Sequence, residues 1–173
     1  DDYGQTVIGR NKRDYVWIMA RSPQIPEADY EQIVAELVAQ GYDAGGHTGT
    51  IGTLSLVPQI VELAAPAGIP VIAAGGIATG AQVLAALAMG AQGAWLGTAW
   101  LAARESRTHR VLLEKLLAAG SEDTVVTRAH SGKPCRVIRS AWSDEWSAPG
   151  APAPLPMPYQ QALTGELLAA VDE

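Results

Sequence analysis

The sequence predicts an α/β fold in which parallel strands are covered by helices, preceded by a β-hairpin and a helix. Three observations predict it. Short continuous apolar runs, Val71-Ile72-Ala73-Ala74 and Ala94-Trp95-Leu96, alternate with helix-patterned stretches from Thr53 and from Ala81, as expected of strands buried by crossover helices. Both runs end in glycine turns, Gly75-Gly76 and Gly97-Thr98. Residues 1–43 differ in character, with two β-rich segments joined by a polar stretch, which is a hairpin signal.

The bulk properties narrow the function. A chain of 173 residues has the length of one domain and can bury a sizeable core. Its formal charge of −6 is dispersed, which argues against nucleic acid as a partner. No apolar run reaches membrane-spanning length, and Asp1-Asp2-Tyr3-Gly4 shows neither the basic nor the apolar region of a signal peptide. Cys135 is the single cysteine and forms no internal disulfide, so a reducing, cytoplasmic compartment is expected. It reads as a structural thiol.

Each element follows from local chemistry. Thr6-Val7-Ile8 and Tyr15 to Ala20 form the hairpin strands around Gly9 to Asp14. Pro23 and Pro26 open a helix from about Glu27 to Gln40, because Tyr30, Ile33, Val34, Leu37 and Val38 follow the helical stripe and Gly41 suits its end. Ala44 to Gly52 holds four glycines in nine residues and reads as a ligand loop. A helix from Thr53 to about Ala65 follows, with Leu54, Leu56, Val57, Ile60, Val61 and Ala64 on one side and Pro58 in its first turn or two. Thr79 is the expected N-cap of the helix Ala81 to Met89, and Gly90 its C′ residue. Further helices are expected from Thr98 to Ala103, His109 to Ala119, Arg139 to Trp146 and Tyr159 to Val171. Short extended segments fall at Asp123 to Thr127 and Cys135 to Ile138. Five prolines between Pro149 and Pro158 form an extended strap.

The chemistry concentrates in the glycine turns and one histidine. A strand, a glycine pair and a helix present backbone N–H groups to an anion, although such a turn also serves close helix-sheet packing. Two on successive units favour phosphate, with Gly75, Gly76, Gly97 and Thr98 as donors. The sequence contains neither a Gly-Lys-Ser/Thr P-loop nor Gly-x-Gly-x-x-Gly, so neither a nucleoside triphosphate nor a Rossmann dinucleotide is expected. His47 sits among glycines that leave room for a ligand, and its titration range suits general base work. His109 and His130 read as surface or satisfied core groups. No second His, Cys or carboxylate lies at metal-ligand spacing, so no metal is expected.

Two resemblances accompany these readings. Val7-Ile8-Gly9, Arg13 to Pro23 and the helix through Asp43 resemble the end of a bacterial lipocalin, over residues 3–43. Two strands close no eight-stranded barrel, so a structural hairpin is favoured over a binding module for a small apolar ligand. Ala44 to Gly49, Pro70 to Ile77, Ala88 to Thr98 and the Pro-Leu-Pro-Met-Pro strap at 154–158 strongly resemble nitronate monooxygenases, formerly called 2-nitropropane dioxygenases. That resemblance implies an FMN-dependent (β/α)₈ (TIM) barrel that oxidises alkyl nitronates with O₂ to carbonyl compounds and nitrite. It implies that His47 is the catalytic histidine, that Gly75, Gly76, Gly97 and Thr98 bind the FMN phosphate, and that Gly45 and Gly46 pass close to the flavin.

A full barrel needs about 250 residues, so the fold expected here is a partial FMN-type (β/α)₈ barrel over residues 44–173, with the lipocalin-like hairpin and helix over 1–43. Exposed strand edges would then favour pairing with another copy or a complementary half. Leu37 to Gly41 fits two structures, the end of the helix or the barrel strand that leads to Gly-Gly-His. The stripe from Tyr30 favours helix.

Overall fold

The computed structural model describes residues 5–9, 16–20 and 37–169. The chain divides into two compact units, residues 1–43 with 50–96 and residues 44–49 with 97–173.

In the first unit, strands β1 (Gln5–Gly9) and β2 (Val16–Ala20) pair antiparallel, with Gly9 opposite Val16. The expected hairpin strands are present. A parallel sheet of order β3-β5-β6 joins β3 (Leu37–Gln40), β5 (Val71–Ala74) and β6 (Gly93–Trp95). The helix expected from Glu27 therefore does not reach Gln40. Leu37 pairs with Val71 and Gln40 with Ala74, and Gly41 donates its N–H to the Ala74 carbonyl instead of closing a helix. Ladder hydrogen bonds and burial of Ala39 against the sheet decide the state of these residues. The rest of the expected helix, residues 27–36, lies outside the described residues.

Helix α1 (Thr53–Ala64) packs Leu56, Val57 and Ala64 onto the sheet with Ala39, Val71, Ala73, Ala86 and Ala91. Burying Val57 and Leu56 contributes about 1.5–3 kcal/mol each. Leu54, expected on that side, is 74% exposed. Pro58 lies in the second turn, where its missing N–H would have bonded the Leu54 carbonyl on this exposed surface. Helix α2 (Gly80–Ala88) begins at a capping box made by Thr79 and Gln82. Gly90 follows in the left-handed conformation expected at C′. Gln92 clamps the β5–β6 pair: its Oε1 accepts from Val71 N at 2.6 Å, and its own N–H donates to the Val71 carbonyl.

The second unit is built on an antiparallel sheet of order β4-β8-β7, formed by β4 (Gly46–His47), β8 (Cys135–Ile138) and β7 (Thr124–Thr127). The glycine-rich segment is thus partly a strand, and the purely parallel expectation does not extend here. Thr98–Ala102 is a 3₁₀ helix rather than an α-helix. Helices α3 (Arg110–Ala118), α4 (Ala141–Glu145) and α5 (Tyr159–Ala169) follow. His109 caps α3 with Nδ1 accepting from Val111 N, while Val111 and Leu117 on its apolar stripe stay exposed. The fold is mixed α/β, and these strands do not make a complete barrel.

Burial in this unit is largely polar. Gln160 is fully buried, its Nε2 donating to the Ala129 carbonyl at 2.8 Å and its Oε1 accepting from Leu155 N at 2.9 Å. Thr164 donates to the His130 carbonyl at 2.8 Å. These bonds tie α5 and the proline strap to the turn at residues 129–132. His130 is half-buried against Trp142, which in turn packs tilted at 51° against Trp146 with ring centroids 5.6 Å apart.

Candidate functional site

The Gly75-Gly76 turn stands at the carboxyl end of β5, with φ of 105° and 70°. Gly76 requires glycine twice over: a Cβ there would meet the Asp43 Cβ at 2.9 Å, and its conformation disfavours other residues. The turn's carbonyls are tied to the protein. Thr53 Oγ1 donates to the Gly75 carbonyl at 2.8 Å, and Gln82 Nε2 donates to that of Gly76 at 2.9 Å. Gln82 Oε1 meanwhile accepts from Ala78 N and Thr79 N. Among the described residues, no protein acceptor engages the N–H of Gly75 or Gly76. Held carbonyls with spare amides make a fixed donor set for an anion.

Asp43 supports this turn from below, its carboxylate accepting from Thr53 N at 2.7 Å at the start of α1. Sequence reasoning missed Thr53, Asp43 and Gln82. The spacing Thr79-x-x-Gln82 was a readable signal for the last, since a capping box needs that interval. The other two depend on contacts across at least ten positions of chain.

His47 belongs to the second unit. On β4 it lies opposite Cys135 of β8, and Thr48 N donates to the Pro134 carbonyl at 3.1 Å, continuing the pairing. Its Nε2 lies 2.6 Å from Ser131 Oγ. His47 is exposed overall, yet partial desolvation of the ring lowers its pKa most and the nearby Lys133 charge lowers it further, which favours the neutral imidazole. A neutral ring is the form that accepts a proton. Burial pushes the Cys135 thiol up, consistent with a structural role. Gly45 packs closely on Thr98, whose Oγ1 would be 2.9 Å from a Cβ at that position. Thr98 opens the 3₁₀ helix. Gly45, Gly46, His47, Gly97 and Thr98 therefore share one unit, while Gly75 and Gly76 lie in the other. Ser131 is the residue that sequence reasoning missed here.

Comparison with known proteins gives these residues a family. Residues 27–173 match the nitronate monooxygenase family model, and residues 1–47 match the lipocalin-like domain model. The chain is 52% identical over 130 residues to "Putative monooxygenase Rv1533" of Mycobacterium tuberculosis, covering 75% of this chain and 34% of that protein. It is 36% identical over 178 residues to "Probable nitronate monooxygenase" of Staphylococcus aureus (strain JH9), covering 96% of this chain and 49% of that protein. The chain thus spans a third to a half of the length of these curated relatives. Among solved structures, a nitroalkane oxidase from Streptomyces ansochromogenes matches with a TM-score of 0.66 and 39% identity, covering 79% of this chain and 41% of that one. FabK from Thermotoga maritima matches with a TM-score of 0.60 and 34% identity, covering 84% and 42%. The glycine turns, the histidine on its short strand and these alignments lead to one assignment: the chain belongs to the nitronate monooxygenase family, a family of oxidoreductases.

Proposed function

We propose that the chain takes part in FMN-dependent oxidation of alkyl nitronates by O₂ to carbonyl compounds and nitrite. The observation that carries the reading is the Gly75-Gly76 turn, whose carbonyls are held by Thr53 and Gln82 while its amides have no protein acceptor among the described residues. That arrangement fits a phosphate monoester such as the one FMN carries. Gly75 and Gly76 would hold the phosphate; in the other unit, Gly97 and Thr98 are the phosphate donors, and Gly45 and Gly46 the loop beside the flavin, that the family resemblance implies. FMN, when bound, supplies the electron acceptor that reacts with O₂. His47 would orient the anionic nitronate beside the flavin, or act as base on the parent nitroalkane by taking the α-proton whose loss leaves the nitronate, and a pKa lowered from the usual value suits the second role.

In the same reading, β3, β5 and β6 with their helices form part of an FMN-type (β/α)₈ barrel within residues 44–173 and the strand before them. Residues 1–43 otherwise carry the lipocalin-like match, and the compartment is cytoplasmic. The test is nitronate-dependent oxygen uptake by FMN-loaded protein. Wild type is expected to consume O₂ and release nitrite, and His47→Ala to lose roughly a hundredfold or more of that rate. Equal rates in the two proteins would remove His47 from the chemistry, and no uptake by flavin-loaded wild type would refute the activity.

A further inference from the structure

Ser131 is buried, with 6% of its surface exposed, and its hydroxyl faces the one side chain proposed to do chemistry. Its Oγ lies 2.6 Å from His47 Nε2 and also accepts weakly from Lys133 N at 3.4 Å. A hydroxyl both donates and accepts; with Oγ already accepting from Lys133 N, donation of its O–H to Nε2 is the arrangement that selects the tautomer with the ring proton on Nδ1. The backbone around Ser131 is unusually constrained. Gly132 has φ of 81°, its N–H donates to the Arg128 carbonyl at 2.8 Å, and its own carbonyl accepts from Arg128 Nη1 at 2.9 Å.

The proline strap lies directly on Gly132, so that a Cβ there would strike the Leu155 carbonyl and the Met157 amide. Gln160 fastens the strap and the Ala129 carbonyl together from a fully buried position. On the other side, Thr48 N and the Pro134 carbonyl hold the histidine strand to the end of the same turn. Donor and ring are therefore both anchored, as second-layer support of a reactive imidazole requires.

We propose that Ser131 is the positioning residue of His47: its hydroxyl, fixed by a turn clamped under the 154–158 strap, holds Nε2 and sets the ring orientation and tautomer offered to substrate. The proposal rests on the reading of His47 as the reactive histidine, but its first test does not depend on activity. Imidazole ¹⁵N spectra of the whole chain, with the His47 signals assigned through His47→Gln, report the tautomer directly. Wild type is expected to show one dominant His47 tautomer. Ser131→Ala is expected to show a mixture, and Ser131→Thr to restore the single form. Ser131→Cys keeps the volume with a poor hydrogen-bonding group, and carries the test if the alanine variant melts out.

In FMN-loaded protein, Ser131→Ala should lower kcat about tenfold, equivalent to about 1.4 kcal/mol, with KM little changed. A His47 spectrum identical in wild type, Ser131→Ala and Ser131→Cys overturns the proposal. A tautomer change in Ser131→Ala, with no nitronate oxidation by wild type, upholds the positioning role and refutes the activity instead.

Discussion

Gly76→Ala perturbs the glycine turn with the least added matter, and its cost can be worked from the structure. At φ of 70° an alanine costs about 1–2 kcal/mol for the left-handed backbone. Its Cβ would lie 2.9 Å from the Asp43 Cβ, so Asp43 must move. Asp43 accepts from Thr53 N at 2.7 Å at the start of α1, and losing such an N-terminal bond costs about 0.5–2 kcal/mol. The sum is about 2–4 kcal/mol, or a melting point lower by roughly 5–15 °C for a chain of this size. Gly80→Ala is the matched control, since nothing lies within 4 Å of its Cβ and its φ is ordinary. It should raise stability by about 0.4–1 kcal/mol through the unfolded state. Thermal melts followed by far-ultraviolet circular dichroism compare the two. A Gly76→Ala melt within a degree of wild type would refute the close approach of Asp43 to the turn.

Other consequences follow from single groups. Burial lowers the pKa of both His47 and His130 below the usual 6.5. The unfolded chain therefore takes up protons first on acidification, and their contribution to stability is present above about pH 6.5 and lost as pH falls through the folded values. Urea midpoints should be lower at pH 5 than at pH 7.5, and His47→Gln should flatten that slope; a midpoint that rises on acidification would contradict the assignment. Gln160→Leu strands the buried Ala129 carbonyl and frees the Leu155 amide, so urea denaturation should show a loss of about 2–4 kcal/mol. Cys135, half-buried with its thiol pKa raised, should react with iodoacetamide at pH 7.5 more slowly than free cysteine; labelling at the free rate would show an open thiolate.

What the sequence disclosed was local. The run Val71 to Ala74, the cap at Thr79 and the left-handed Gly90 each follow from neighbours a few positions away, and the structure has all three. His47 stood out for its glycine surroundings alone. Apart from Gln82, whose capping interval is local, the missed features are non-local. Leu37 to Gln40 satisfies a helical stripe, yet it pairs with Val71 to Ala74, more than thirty positions on, and the ladder outweighs the stripe. Ser131 reaches His47 across 84 positions, and no local pattern marks a serine as the partner of a distant histidine. The antiparallel sheet was hidden for a similar reason: Gly46-His47 is too short to show alternation, and only β8 makes it a strand. Leu54 shows the opposite error, since its spacing fits the α1 stripe although it faces outward.

The Gly75-Gly76 turn is proposed as the phosphate cradle for FMN. Titration of the apo-protein with FMN and with riboflavin, followed by flavin fluorescence, tests it most directly, because the two ligands differ only in the phosphate. Saturable FMN binding is expected, with riboflavin at least tenfold weaker, as one lost charge-assisted hydrogen bond of about 1.5–3 kcal/mol already requires. Equal affinity for both ligands, or a protein that stays colourless at saturating FMN, would contradict it.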